Sequence, residues 1–229
     1  MEYPHNRPYT ADDLVHIITL LRDPVNGCPW DKVQTHTSIR MNFLEEAYEA
    51  VDALDLDDPV LMCEELGDVL MQVAFHTCME QETGRFTWEQ VCDGVCQKLI
   101  ERHPNIFGTQ PGYEGITDWD ALKNKEKGRR TLADDLESVP RAMPALMRAA
   151  KLQKRAARHG AALQGADATA LAGAAENLQT AQPASAQAEQ AVGELLFAAA
   201  NLARQAGVDP EQALQKANEA FCTAAGPVA

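Results

Sequence analysis

The chain of 229 residues carries 34 aspartates and glutamates against 20 lysines and arginines, so its formal net charge is −14. This charge has the wrong sign for binding a phosphate backbone, which excludes nucleic acid as an expected partner. Hydrophobic residues make up 45% of the chain but aromatic residues only 6%, and this mixture of alanine, leucine and valine favours an all-α protein.

The sequence also predicts a cytoplasmic protein without a membrane partner. No apolar run approaches the roughly 18 residues that a membrane-spanning helix needs. The polar start of the chain, MEYPHNRPYTADD, has neither the basic nor the apolar region of a secretion signal.

Capping residues and helical periodicity predict four helices in the first half of the chain. Thr10 opens the first helix, and prolines and a glycine then break it in a loop that carries Trp30. A turn at Asp57 joins the next two helices into a hairpin. The helices are expected from Thr10 to about Arg22, from Ser38 to about Leu56, from Pro59 to about Glu82 and from Trp88 to His103.

The apolar residues of the hairpin recur at helical spacing, so we expect them to face inward. They are Phe43, Ala47, Val51 and Leu54 on the first arm and Leu66, Val69, Leu70 and Val73 on the second.

Composition divides the chain into two domains joined by a charged linker that contains a helix. The expected boundaries are residues 1–110 for the first domain, 111–143 for the linker and 144–229 for the second domain. GDVLMQVAFHT in the first domain aligns with GELLFAAANLA in the second, which indicates a duplicated helical unit. The second copy has lost most of its acidic residues, since Ala191 stands where the first copy has Glu65.

Two acidic motifs lie on the two arms of the predicted hairpin, LEEAYEAVD on the first and CEELGD on the second. Residues three apart share one side of a helix, so each arm presents a pair of carboxylates. With the turn centred on Asp57, Glu49 lies opposite Glu65 and Glu46 lies opposite Asp68. Converging carboxylates repel one another unless a cation neutralises them, and oxygen ligands suit Mg²⁺ or Mn²⁺.

Two other interpretations of these carboxylates stay open. Most glutamate-rich helices simply expose their charges to solvent. A ferritin-like di-iron site would need a Glu-x-x-His motif, and Asp68 occupies the position of the histidine.

Four segments together resemble the MazG family of the all-α NTP pyrophosphatase superfamily: GCPWDKVQTH, LEEAYEAVDAL, EELGDVLMQVAFH and KLIERHPNIFG. The family signature EExxE followed by ExxD is met by Glu45, Glu46, Glu49, Glu65 and Asp68. The resemblance implies a homodimer of tandem MazG-like helical bundles, of the dimeric four-helix-bundle type. It also implies Mg²⁺-dependent hydrolysis of an NTP or dNTP between the α- and β-phosphates to a monophosphate and pyrophosphate.

The resemblance and the chemistry of a metal-assisted hydrolysis together suggest a role for each candidate residue. The expected metal ligands are Glu46, Glu49, Glu65 and Asp68, and Glu45 is the expected catalytic residue that orients the attacking water. Lys98 and Arg102 match the family's K-x-x-x-R motif for phosphate, although cations near a helix C-terminus are equally well explained by the helix dipole. Trp30 is a candidate for stacking on the base or for packing alone.

The second copy departs from the family pattern, because Gly173, Ala191 and Glu194 stand where catalytic copies carry their motif residues. We therefore expect the second copy to be inactive and to serve dimerisation or nucleotide sensing. The alternative for the whole protein is a non-catalytic dimeric nucleotide sensor or scaffold. The sequence does not indicate the preferred base or sugar, or a choice between house-cleaning and alarm-signal control.

Overall fold

The computed structural model describes residues 2–5, 7–104, 106–108, 127–128 and 131–226. Every regular element in these ranges is helical, which confirms the all-α prediction. The α-helices are α1 Ala11–Leu21, α2 His36–Leu56, α3 Pro59–Glu82, α4 Trp88–Arg102, α5 Leu132–Glu137, α6 Ala145–Arg158, α7 Ala168–Thr180, α8 Ala186–Gln205 and α9 Pro210–Ala225. No helix among the described residues is long and apolar enough to cross a membrane.

The chain divides into two compact units, Met1–Ile116 and Thr117–Ala229. Much of the predicted charged linker lies outside the described residues, including the start of its expected helix at Thr117. The described part of the linker contains another helix, α5.

In the first unit, α2 and α3 pack against each other as the predicted hairpin, while α1 and α4 each pack on α3. The core lies where α1 meets the second half of α3 and includes Ile18, Ala74, Phe75, Cys78 and Trp88. Burial of these side chains supplies the main driving force that holds the hairpin in place.

Helix α2 begins two residues earlier than predicted, at His36. Thr35 is the N-cap, its side chain accepts a hydrogen bond from the backbone N–H of Ser38, and the Ser38 side chain accepts one from the backbone N–H of Thr35. Such a capping box satisfies two backbone donors at once. Ser38, which the sequence suggested as the start, is therefore the third residue of the helix.

The turn of the hairpin lies where the sequence predicts it. Asp57 ends α2 in the left-handed conformation with φ 53°. The Asp58 side chain then caps α3 by accepting from the backbone N–H groups of Val60 and Leu61, and Pro59 occupies the first turn. This turn fixes which residues of the two arms lie opposite each other.

The prediction that the apolar residues of the hairpin face inward is wrong for four of the large ones. Val51, Leu54, Leu66 and Leu70 are exposed by 50%, 52%, 50% and 39%. The buried positions on α2 are instead Ile39, Ala50 and Ala53. Alanines at the seam let two helices approach closely, so the larger side chains are displaced onto the outer surface.

In the second unit, α7 and α8 form a second hairpin, and α6 packs on α8. Asp135 of α5 is 1% exposed, and its carboxylate lies 3.0 Å from the guanidinium of Arg155. Gln153 is also fully buried and donates to the backbone carbonyl of Phe197 over 2.7 Å. These polar contacts hold α6 against its neighbours.

Candidate metal centre

Three carboxylates converge between the two arms of the first hairpin. Glu46, Glu49 and Glu65 each offer one oxygen atom, and these atoms lie within 4.8 Å of one another. Glu46 and Glu65 are half-buried, whereas Glu49 is exposed. The predicted opposition of the two acidic motifs is therefore present in the structure.

Asp68 lies close enough to influence the cluster electrostatically, although it is not one of its three members. Its negative charge contributes to raising the pKa of both Glu46 and Glu65. It stands one turn after Glu65 on α3 and is half-buried. Asp68 thus borders the three-carboxylate cluster.

The electrostatics of the cluster favour a positive charge at its centre. Loss of hydration raises the pKa of Glu46, and the charges of Asp68, Glu49 and Glu45 raise it further. Loss of hydration and the charge of Glu49 likewise raise the pKa of Glu65. Because each ionised carboxylate opposes the ionisation of the next, a divalent cation bound by their oxygens would relieve the repulsion. A set of carboxylate oxygens of this kind suits a hard divalent cation.

A buried glutamine that the sequence analysis did not identify contacts the cluster. Gln72 on α3 is 7% exposed, and its Nε2 donates to Oε1 of Glu46 over 3.4 Å. This hydrogen bond stabilises the ionised form of Glu46 and so opposes the rise of its pKa. The only sequence signal was one amide within an otherwise apolar stretch of α3.

The other predicted site residues lie outside the three-carboxylate cluster. Glu45 is exposed on α2, one residue before a cluster member. Lys98 is exposed on α4, and Arg102, at the end of the same helix, is half-buried. Neither Lys98 nor Arg102 contributes to the raised pKa of Glu46 or Glu65. The described side chains that do shift these pKa values are other carboxylates and the Gln72 amide.

Trp30 lies in the loop between α1 and α2 and is 57% exposed. Its ring meets the ring of Phe75 edge-on at a centroid distance of 6.5 Å. One side of the indole is thus fixed by packing, while much of its surface stays accessible.

Arg22 anchors the loop that carries Trp30. Its guanidinium pairs with the Glu82 carboxylate at 2.5 and 2.8 Å and donates to the backbone carbonyls of Asp31 and Gln34. The same guanidinium lies over the Phe75 ring, 5.3 Å from its centroid. A cation that is 9% exposed and paired in this way gives the loop a defined position.

Two histidines form a second polar cluster in the first unit. The Nδ1 atoms of His36 and His76 lie 2.7 Å apart, and the two rings are stacked. One of these nitrogens must carry the proton and the other must accept it. Nε2 of His36 also lies 2.6 Å from the carboxylate of Glu80, which Arg85 contacts at the same distance.

The described part of the second unit holds no comparable acidic group. Its corresponding hairpin carries a cavity lined by Gly173, Gly193, Glu194 and Phe197 among others. Where the first copy uses Glu65, the second has Ala191, which is 2% exposed.

The fold and the site define an all-α protein with a carboxylate-lined helical hairpin. A family model described as the MazG nucleotide pyrophosphohydrolase domain matches residues 34–107, which include the whole hairpin. The nucleoside triphosphate pyrophosphohydrolase of Escherichia coli strain K12 is 40% identical over 224 residues, covering 92% of this chain and 83% of the relative. The nucleoside triphosphate pyrophosphohydrolase/pyrophosphatase MazG of Thermotoga maritima is 39% identical, covering 92% and 82%.

A nucleoside triphosphate pyrophosphohydrolase of Mycobacterium tuberculosis is 35% identical over 154 residues, covering 66% of this chain and 46% of the relative. The chain belongs to the MazG nucleotide pyrophosphohydrolase family, as its motifs indicated.

Proposed function

We propose that this protein hydrolyses nucleoside triphosphates, NTPs or dNTPs, between the α- and β-phosphates. Water adds across the anhydride, so that one product is the nucleoside monophosphate and the other is pyrophosphate. The observation that carries the proposal is the convergence of Glu46, Glu49 and Glu65 within 4.8 Å in a member of this family. The E. coli and T. maritima relatives are named for this activity.

The proposed cation ligands are Glu46, Glu49, Glu65 and Asp68. Bound Mg²⁺, or Mn²⁺ in its place, would neutralise phosphate charge and polarise the phosphoryl oxygens. Gln72 donates to the Glu46 carboxylate through its amide N–H, which orients that ligand and favours its ionised form. Glu45, next to the cluster on α2, is the proposed residue that orients the attacking water.

Lys98 and Arg102 are the proposed phosphate-binding cations. They are four residues apart on α4 and so share one side of that helix. Trp30, held on one edge by Phe75, is the proposed surface for the nucleobase. Aromatic stacking tolerates any base.

We further propose that the protein is a homodimer in which only the first unit is catalytic. The exposed apolar side chains of the first hairpin, Val51, Leu54, Leu66 and Leu70, would be covered by a second copy of the chain. Large apolar side chains left in groups on a surface are typical of an interface. The cytoplasmic location stays a prediction.

A product assay tests the reaction type. Wild-type protein with Mg²⁺ is incubated with each of the common NTPs and dNTPs, and pyrophosphate is assayed separately from orthophosphate. Pyrophosphate with an equal amount of monophosphate supports the proposal. Release of orthophosphate would indicate cleavage at another bond, and binding without product would favour the alternative of a nucleotide sensor or scaffold.

A matched pair of variants tests which unit is catalytic. Asp68→Asn changes the first hairpin, and Glu194→Gln changes the aligned position of the second. We expect Asp68→Asn to abolish turnover and Glu194→Gln to leave it unchanged. The reverse result would place the reaction in the second unit.

A further inference from the structure

The loop between α1 and α2 leaves a large aromatic side chain in solvent, on the side of α3 that carries a carboxylate of the proposed metal site. Trp30 is 57% exposed, although an indole gains free energy when it is buried. Phe75, whose ring it meets edge-on, follows Asp68 by seven residues on α3. Residues seven apart share one side of a helix and lie about 10 Å apart along its axis. The indole and Asp68 are therefore presented on the same side of α3.

The guanidinium of Arg22 divides its donors between α3 and this loop. Its Nε and Nη2 donate to the two carboxylate oxygens of Glu82, over 2.5 and 2.8 Å. Its Nη1 donates to the backbone carbonyls of Asp31 and Gln34, over 2.7 and 3.2 Å. Because Nη1 carries two N–H groups, both of its donors are used by residues that follow Trp30.

Gln34 carries this connection to the backbone of Trp30. Its Nε2 donates to the carbonyl of Trp30 over 2.9 Å, and its Oε1 accepts from the hydroxyl of Ser38 over 2.7 Å. Ser38 belongs to the capping box of α2. The backbone of Trp30 is thus tied to the first turn of α2 by Gln34, and to α3 by way of Arg22.

The first half of the loop has a single backbone path as well. The backbone N–H of Gly27 donates to the carbonyl of Asp23 over 2.9 Å, and that of Cys28 donates to the carbonyl of Leu21 over 2.8 Å. A Cβ atom on Gly27 would collide with both carbonyl oxygens. Hydrogen bonds therefore fix the loop before and after Trp30, so its exposed indole has a defined position.

We propose that Arg22 is a positioning residue for nucleotide binding: its Nη1 holds the loop so that Trp30 is in place for the nucleobase. Arg22 is only 9% exposed, so it acts through Trp30 and not by contact with the nucleotide. An aromatic surface that is already ordered loses little conformational entropy on binding. The inference rests on the proposed function only in placing a nucleobase on Trp30.

Two conservative variants separate the two sets of bonds that Arg22 makes. Arg22→Lys keeps a positive charge beside Glu82, but an ammonium group lacks the planar fork that reaches the loop carbonyls as well. We expect it to weaken nucleotide binding about two- to tenfold. Glu82→Gln removes the ion pair and leaves the Nη1 bonds, so it should lower the unfolding temperature without changing the affinity.

Arg85→Lys is the matched control for Arg22→Lys. Arg85 pairs with Glu80 near the same end of α3, and none of its side-chain hydrogen bonds among the described residues is to the loop. The affinity for the nucleotide should stay that of wild type.

Equilibrium binding to the full chain in the presence of Mg²⁺ measures these affinities. The probes are the α,β-methylene analogues of the common NTPs, which cannot be hydrolysed at that bond, and inorganic tripolyphosphate, which has no base. Arg22→Lys should weaken binding of the analogues and leave that of tripolyphosphate unchanged. With the natural NTPs it should raise KM and leave kcat unchanged, because the proposed reaction takes place at the carboxylates.

A double-mutant cycle shows whether Arg22 acts through Trp30. Trp30→Ala alone should weaken binding of the analogues about tenfold, and Arg22→Lys added to it should weaken binding no further. Gln34→Ala removes the bond to the Trp30 carbonyl without leaving a buried charge unpaired. It should act like Arg22→Lys, and it makes the same test if thermal unfolding shows that Arg22→Lys does not fold.

Four results would overturn the inference: wild type binds none of the analogues, Arg22→Lys binds them as wild type does, the losses in the cycle are additive, or tripolyphosphate binding falls equally. The proposed function is separated by its product. Binding as expected without pyrophosphate release would contradict the proposed function and leave the role of Arg22 standing. Pyrophosphate release with unchanged affinity in Arg22→Lys would overturn the role of Arg22 alone.

Discussion

The amide of Gln72 donates to the carboxylate of Glu46, while its own Oε1 is buried and has no hydrogen-bond partner among the described residues. A buried acceptor without a partner costs free energy, so this side chain is not optimised for stability. It is instead placed to hold a carboxylate whose pKa is raised by its neighbours. The relationship explains why an amide occupies the interior of a helical hairpin.

Replacing Gln72 with leucine should therefore change the Mg²⁺ requirement of the reaction without changing the stability of the fold. The variant loses the donor to Glu46 but also removes a buried unpaired acceptor, so its thermal unfolding should change little. The Mg²⁺ concentration for half-maximal turnover should rise roughly tenfold. Gln153→Leu is the matched control, since Gln153 also donates one hydrogen bond, to the Phe197 carbonyl, and also has a buried Oε1 with no partner among the described residues. Its thermal unfolding should likewise change little, but its Mg²⁺ requirement should stay that of wild type.

Removing one charge from the carboxylate cluster should stabilise the metal-free protein. The charge of Glu49 raises the pKa of Glu46 and of Glu65. Raised carboxyl pKa values mean that the folded state holds these protons more tightly, so stability is lost as pH rises from the unfolded value of about 4.3. Glu49→Gln should raise the unfolding temperature in EDTA at pH 7, and this gain should shrink towards pH 4.

Differential scanning fluorimetry with and without Mg²⁺ measures this effect. Addition of Mg²⁺ should raise the unfolding temperature of wild-type protein more than that of Glu49→Gln. The control is Glu101→Gln, an exposed position on α4 that is not among the groups shifting the cluster. An unfolding temperature that falls in Glu49→Gln at pH 7 would show that the carboxylates do not repel one another.

The histidine pair should make the first unit sensitive to acid. Burial, and then the neighbouring His36, lower the pKa of His76 below its ordinary value of 6.5. The unfolded chain therefore takes up a proton that the folded chain resists, and stability is lost as pH falls below about 6.5. The nearby charged groups are Glu80, at 2.6 Å from His36, and Arg85, which pairs with Glu80.

Replacing His76 with phenylalanine should reduce this loss. Chemical denaturation should show that the free energy of unfolding decreases less between pH 7.5 and pH 5 for His76→Phe than for wild type. His16→Gln, exposed on α1, is the control and should follow wild type. Equal pH dependence in all three proteins would exclude His76 as the source.

If the exposed apolar residues of the first hairpin form the dimer interface, charged side chains introduced there should prevent dimerisation. Leu54→Asp combined with Leu66→Asp should convert a dimer into a monomer, because burying two unpaired carboxylates at an interface is costly. Leu214→Asp, on an exposed leucine of the second unit, should leave the mass unchanged. Light scattering after size-exclusion chromatography gives the mass, and a monomeric wild-type protein would contradict the proposed dimer.

Sequence reasoning predicted the helices and the acidic cluster because both depend on short-range rules. Capping residues such as Thr10 and Thr87 act within one turn of their helix. The opposition of Glu49 and Glu65 follows from the 3.6-residue period and the position of the turn. These features need no knowledge of the rest of the chain.

The buried side of the hairpin was not predictable in the same way. Periodicity identifies an apolar stripe on a helix but not which edge of the stripe packs against the next helix. Here Ala50 and Ala53 are buried in the contact between the two arms, while Leu54 is exposed. Long-range contacts such as Arg22 with Glu82, sixty residues apart, leave no local signal. Gln72 was missed for the same reason, since its partner lies on the other arm.

The proposed reaction and its place in the first hairpin are tested most directly by Mg²⁺-dependent pyrophosphate release from NTPs and dNTPs by wild type, Glu49→Gln and Glu176→Gln. Glu176 lies on α7 of the second hairpin and is the matched control. We expect release by wild type and Glu176→Gln only when Mg²⁺ is present, and a loss of more than about a hundredfold in Glu49→Gln. Full release by Glu49→Gln, or none from any nucleotide by wild type, would contradict it.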